Sequence, residues 1–316
     1  MEEQKIAEFD KIIERAVEEE DQLLQRDTTL LKAEFLLSLN REDEYLELLK
    51  QAIELSVTNS KKAEISMLVL NFLFKKEKFE ESEKWLIECV RLNEQGGDWE
   101  KRNKLNIYSG LISILKRDFE KASSLLIDSL NTFNASDILE YKDLVVYCLV
   151  LGLVTLPRQK FSKKILQNSE VIGVFLENPA LSELFTVIDD CRYREFYSSL
   201  LRFNDSFIKG DIFLKIHSKR IVKFIRVVLY KQYLQSYRAV RLERMASDFG
   251  VGVAFLDNEI ASLIASGDLP YQIDRVKNII EKKSYDMKLI DLRKAIVEGD
   301  QLLEKVHQLV KIINTN

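Results

Sequence analysis

Apolar residues recur along most of this chain at steps of three and four. Ile6, Phe9, Ile13 and Val17 form one such set, and Leu30, Leu31, Phe35 and Leu36 the next. That spacing puts them on one face of an α-helix, and a helix with one apolar face buries it against a neighbour. Polar breaks at Asn40–Asp43, Thr58–Ser60 and Gln95–Asp98 divide the pattern into successive helices. No period-two alternation, the signal of a half-buried strand, occurs before residue 270. The run Leu144–Leu156 is apolar all round but falls short of the roughly 20 residues that span a bilayer, so it predicts a buried core helix.

Two segments echo each other. Phe79-Glu80-Glu81-Ser82-Glu83-Lys84-Trp85-Leu86-Ile87 aligns with Phe119-Glu120-Lys121-Ala122-Ser123-Ser124-Leu125-Leu126-Ile127 at an offset of 40 residues. Each has an aromatic opening a helix, a small residue three places on and then a bulky cluster. Small residues let helices approach closely, and the aromatic fills the gap between pairs, as in tetratricopeptide-like stacking. Tyr45–Leu49 is a weaker copy. Ordinary amphipathic helices in chance alignment are the alternative.

The texture changes near residue 237. A helix is expected over Ala239–Phe249, closed by Gly250 in the turn Phe249-Gly250-Val251-Gly252. A second helix is expected over Val253–Ala265. Gly267-Asp268-Leu269-Pro270 then turns the chain into Tyr271–Asp274, and Arg275–Ile280 is a strand candidate. Helix, turn, helix and a small β-hairpin is the order of a winged helix. Beyond it, Leu292, Ala295, Ile296, Gly299, Leu302, Leu303, Val306, Val310 and Ile313 form a near-heptad stripe on one long helix. Such a face is buried either on the chain's own domain or on a partner.

Composition adds exclusions. With 10 Gly and 3 Pro in 316 residues, little interrupts the helices. The net charge of −4 predicts no general affinity for nucleic acid or acidic membranes. Cys89, Cys148 and Cys191 show no paired spacing, so reduced thiols in a cytoplasmic or nuclear protein are expected. The charged N-terminus lacks the apolar run of a secretory signal. The two histidines, His217 and His307, have no further ligand at metal spacing. No phosphate-cradling glycine loop follows a strand. The expectation is no catalytic residue, no cofactor and no metal. One stretch, Cys191 to Arg244, is basic, with Arg192, Arg194, Arg220, Lys223 and Arg238 among its cations. The expected recognition helix Val253–Ala265 carries Asp257 and Glu259 but no Lys or Arg, which argues against a DNA groove and for an acidic protein partner.

Helical repeats, a winged helix and a terminal helix together resemble the PCI family. Arg117–Ala122, Tyr141–Tyr147, Cys191–Tyr197, Met245–Val253 and Gly299–Leu303 narrow the likeness to proteasome lid subunits of the seventh non-ATPase type. The resemblance implies an all-α fold: tetratricopeptide-like repeats over 1–135, a PCI domain over 136–284 (helical part 136–235, winged helix 236–284) and an assembly helix over 285–316. It implies a non-catalytic scaffold in ubiquitin-dependent degradation. Implied partners are other PCI lid subunits, the lid deubiquitinase pair, a small acidic disordered lid subunit and the ATPase ring, with no membrane and no nucleic acid. Phe249, Val253, Phe255, Leu256 and Ile273 would meet partners from the winged helix, and Leu302, Leu303, Val306, Val310 and Ile313 from the terminal helix. A subunit of the sister signalosome complex and a nucleic-acid-binding PCI protein are the competing readings.

Overall fold

The computed structural model describes residues 2–19, 21–39, 41–94, 99–133, 137, 139–282 and 287–314; the side chains of 2–5, 287–291, 293, 294 and 308–314 are excluded. The described residues form helices almost throughout, plus one three-stranded sheet. The chain divides into two compact units, Met1–Thr186 with Ser199–Ile225, and Val187–Ser198 with Arg226–Asn316.

The first unit is an array in which each helix packs on the next, from Glu2–Glu18 through Gln22–Ser38, Glu42–Leu55, Asn59–Lys75, Phe79–Glu94, Trp99–Leu115 and Phe119–Ser129 to Tyr141–Thr155. Tyr45, Leu49, Ala52, Ile65, Val69 and Leu73 knit one stretch of its core. The break at Asp21, which the apolar pattern does not mark, is a capped helix start: its carboxylate accepts from the N–H groups of Leu23 (3.0 Å) and Leu24 (3.2 Å). Residues Leu144 to Leu153 are buried without exception, so the predicted core helix is one.

The 40-residue echo is structural. Phe79 and Phe119 each open a helix, and Ser82 and Ala122 are fully buried behind them. The turns before them match as well. Glu77 and Arg117 both adopt left-handed backbone (φ 58° and 67°), and in each the next residue's N–H reaches back five positions. Both aromatics land on the same later segment: Phe79 on Phe213 (5.5 Å between centroids), Phe119 on His217 (5.7 Å) and Phe224 (6.4 Å).

Gly110 is a close approach in the array. A Cβ there would sit 2.6 Å from Leu126 Cδ2 and 2.7 Å from its Cγ. Leu126 is fully buried and has little room to retreat. Gly110→Val is therefore expected to lower stability by about 1–3 kcal/mol in urea unfolding. Gly173 is its contrast: a helical glycine with open space around it. Gly173→Ala is expected to raise stability by about 0.5–1 kcal/mol.

His217 is buried in this unit, with Nε2 lacking a partner among the described residues. Desolvation first, then the charge of Arg117, lowers its pKa, against a smaller opposite pull from the Leu115 and Ile114 carbonyls. A ring held neutral in the fold stabilises it above the ordinary histidine value, about 6.5, and that contribution is lost as the pH falls below it. Stability should therefore decline on acidification below about pH 6.5, and His217→Gln should flatten that part of the profile. An unchanged slope would place the sensitivity elsewhere.

The second unit contains a winged helix. Strand β1 (Ala239–Arg241) leads into the helix Leu242–Phe249, then Val253–Ala265, β2 (Tyr271–Asp274) and β3 (Ile279–Lys282). The sheet is antiparallel in the order β1-β3-β2, with Val240 opposite Ile280 and Ile273 opposite Ile280 on the other side. Gly250 closes the first helix in left-handed backbone (φ 66°), the C-cap its position predicts. Val253–Ala265 matches its expected span. Two expectations are corrected. Residues 239–241 are strand rather than helix, because their N–H and C=O groups pair with β3. Arg275–Asn278 are the hairpin turn, and the strand is shifted to Ile279–Lys282.

Candidate interaction surfaces

The core of the second unit is an aromatic cluster around Phe249. Its ring lies 5.1 Å from Tyr193, 5.3 Å from Tyr233, 5.4 Å from Tyr230 and 6.5 Å from Tyr197. Edge-to-face and tilted rings at such distances add to area burial. Tyr193 follows a third copy of the repeat turn, with Cys191 at φ 58° and the Arg192 N–H bonded to the Val187 carbonyl. The copy escapes sequence comparison because the third position after Tyr193 is the bulky Phe196, where the other two copies carry a small residue.

Beside the cluster lies a polar network. Arg226 pairs with Glu259 at 2.7 Å, Tyr230 donates to the other Glu259 oxygen at 2.7 Å, and the Tyr197 and Tyr230 hydroxyls share a hydrogen bond. Burial, the largest cause, pushes the Tyr197 hydroxyl up to about 12. Glu259 thus ties its helix to the module's own interior. Asp257, the other acid of that helix, pairs with Arg275 of the hairpin. The acids that argued against a DNA groove are structural, and the helix still offers no cation.

The predicted winged-helix contacts separate into two groups. Phe249 is 1% exposed and Leu256 fully buried, which corrects their assignment as partner contacts: periodicity marked a buried face, and that face is buried on the module itself. Val253 and Phe255 are exposed, and Ile273 is half-buried on edge strand β2. Val276, at the hairpin tip, is 93% exposed, and its strand-like sequence context gives no sign of this.

The terminal helix spans Met287–Asn314, about 42 Å at 1.5 Å per residue. Every side chain from Ala295 to His307 is exposed. Leu302 is 66% exposed, Leu303 58% and Val306 46%, with Leu292, Ile296 and Val297 bare as well. Among the described residues of its own unit, nothing covers this part of the stripe. Val310 and Ile313 lie on the same helix, but their side chains are outside the described residues.

The basic residues do not form a single bare field. Arg192 pairs with Asp190 (3.3 Å) and Glu195 (3.0 Å). Arg202 pairs with Glu183, and Lys209 with Asp205, both at 2.6 Å. Arg194 and Arg238 are exposed in the second unit. In the first unit Arg220 is exposed over the Phe224 ring at 5.3 Å, and Lys223 is half-buried. Counting charges along the stretch missed Glu183 and Glu259, acids that folding brings back.

Among the described residues no group of His, Cys, Asp and Glu is arranged to hold a metal, and no helix is long and apolar enough to cross a membrane. Cys89 and Cys148 are buried and Cys191 partly so, all as free thiols; burial, with Glu88 adding, pushes Cys89 up to about 12.

The arrangement is one of helical surface, a small exposed sheet edge and a bare apolar helix. Comparison with known proteins agrees. A family model described as 26S proteasome subunit RPN7 matches residues 1–164, and one described as PCI domain matches 201–284. The 26S proteasome non-ATPase regulatory subunit 6 homolog of Arabidopsis thaliana is 32% identical over 310 residues, 97% of this chain and 80% of that protein. The 26S proteasome regulatory subunit rpn7 of Schizosaccharomyces pombe is 30% identical over 309 residues, 97% and 78% of the two chains. The 26S proteasome regulatory subunit RPN7 of Saccharomyces cerevisiae is 29% identical over 313 residues, 97% and 72%. With a family match over more than half its length and a relative above 30% identity along nearly all of it, the chain belongs to the family of the 26S proteasome subunit RPN7 and carries a PCI domain.

Proposed function

We propose that this chain is a non-catalytic scaffold subunit of the proteasome regulatory-particle lid, serving ubiquitin-dependent protein degradation in the cytoplasm and nucleus through protein–protein contacts. Its relatives are named as non-ATPase regulatory subunits, and that family membership is the starting point. The observation that carries the reading is the bare apolar stripe of Leu302, Leu303 and Val306 on the terminal helix. Exposing such a face to water is unfavourable, and packing it against other helices relieves that. On this reading residues 1–135 act as repeats, 136–284 as the PCI domain and 285–316 as the assembly helix.

The winged helix meets other PCI lid subunits through Val253, Phe255 and Ile273, whose edge strand β2 offers unpaired backbone groups for strand addition. Arg194 and Arg238, exposed in the second unit, present cations suited to a small acidic disordered subunit. The deubiquitinase pair and the ATPase ring are the further neighbours.

A tagged chain purified from native cells at moderate salt, with its partners read by mass spectrometry, tests this. Stoichiometric lid subunits and the ATPase ring are expected. Cullins in their place would assign the chain to the signalosome, and ribosomal factors or nucleic acid would make the basic residues a nucleic-acid surface.

A further inference from the structure

A cleft of about 380 Å³ in the first unit is not used by the assembly reading. One wall is the start of the helix Tyr141–Thr155, with Asp143, Val146 and Tyr147. The other is the π-helical segment Asn204–Ile208 and the turn after it, with Phe207, Asp211 and Ile212. Single π-turns are frequent at functional sites.

The two carboxylates differ. Asp211 is fully engaged: one oxygen accepts from the N–H groups of Phe213 (2.8 Å) and Leu214 (2.7 Å), and the other accepts from the Tyr147 hydroxyl. Asp143 makes no ion pair among the described residues, although it is half-buried. Around it stand two acids, Glu140 and Asp211, and one opposing cation, the exposed Lys142. The cleft therefore combines an unneutralised carboxylate with aromatic and apolar walls, Phe207 half-buried and Ile212 exposed.

We infer that this cleft receives an arginine side chain from a partner protein, its guanidinium on Asp143 and its aliphatic stem along Phe207 and Ile212. Charge complementarity selects a cation. The mixed walls favour arginine over lysine, because a planar guanidinium is weakly hydrated, stacks on rings and donates in several directions. Exposed apolar surface at the cleft's rim suits an arginine flanked by apolar residues in a protein segment. Burial foremost, then Glu140 and Asp211, pushes the Asp143 carboxyl up, with Lys142 pulling the other way. A bound cation relieves this cost, so binding should weaken on acidification as the carboxyl protonates.

The inference stands independently of the proteasome reading. It is tested on the full chain with the peptide acetyl-Leu-Arg-Leu-amide, following the methyl NMR signals of Val146 and Ile212. Saturable shifts are expected. Replacing arginine by citrulline, which keeps the shape and removes the charge, should weaken binding roughly tenfold or more, as should Asp143→Asn. Gly210→Leu gives a second route: a Cβ at Gly210 meets nothing within 4 Å, so the larger side chain can fill the open side of the cleft without disturbing the fold. The absence of saturable shifts, equal binding of the citrulline peptide, or undiminished binding by Gly210→Leu would each overturn the inference.

Discussion

Replacing Phe249 by alanine is expected to destabilise the winged-helix unit by about 3–5 kcal/mol, the cost of deleting a fully buried ring from a packed core. The ring is 1% exposed and meets four tyrosines from two helices of the chain. Those tyrosines are held partly by their own hydrogen bonds, Tyr233 to Asp248 (2.6 Å) and Tyr230 to Glu259 (2.7 Å), so they cannot readily collapse into the space. Hydrogen exchange over the helix Val253–Ala265 reads the loss locally. Phe255→Ala serves as the control: Phe255 is exposed in the isolated chain, and its removal should cost less than about 1 kcal/mol. Equal effects at the two positions would contradict the division into a core residue and a surface residue.

The second large effect concerns Arg226 and Glu259. Their 2.7 Å contact is mostly shielded, with side-chain exposures of 24% and 12%. Removing one partner from a buried pair strands the other charge and costs about 3–5 kcal/mol. Partial exposure of Arg226 reduces this, so Arg226→Met is expected to cost about 2–3 kcal/mol. Among the described residues Glu259 would keep the hydroxyls of Tyr230 and, at 3.4 Å, Tyr197. The double replacement Arg226→Met with Glu259→Leu should lose less than the sum of the singles, because no charge is left stranded. Additive losses in that cycle would mean the pair contributes little beyond packing.

Much of the architecture was legible in the chain itself, because helices advertise their faces. The boundaries of Val253–Ala265, the cap at Gly250 and the Phe79/Phe119 echo follow from spacing and from glycine's tolerance of left-handed backbone. Strand β1 was hidden for a physical reason. Its three residues, exposed, buried and exposed, are too few to show a period, and they exist as strand only because β3 returns from forty residues away. The interaction residues were less legible. Spacing shows that a face is buried and not against what, so it does not separate Phe249 and Leu256, buried in the module, from surface contacts, and it gives no sign of the bare Val276. Charge counting along the chain likewise missed Glu183 and Glu259, which meet Arg202 and Arg226 through folding.

Assembly through the terminal helix can be tested directly. Leu302→Asp, Leu303→Asp and Val306→Asp, introduced together, change only side chains that touch solvent. The measurement is incorporation of the purified variant into lid particles reconstituted from the other subunits, followed by native mass spectrometry beside the circular dichroism of the free chain. An unchanged helical spectrum and loss of the variant from the assembled particle are expected. Incorporation at the wild-type level would contradict this, and would remove the bare apolar stripe as the basis of assembly.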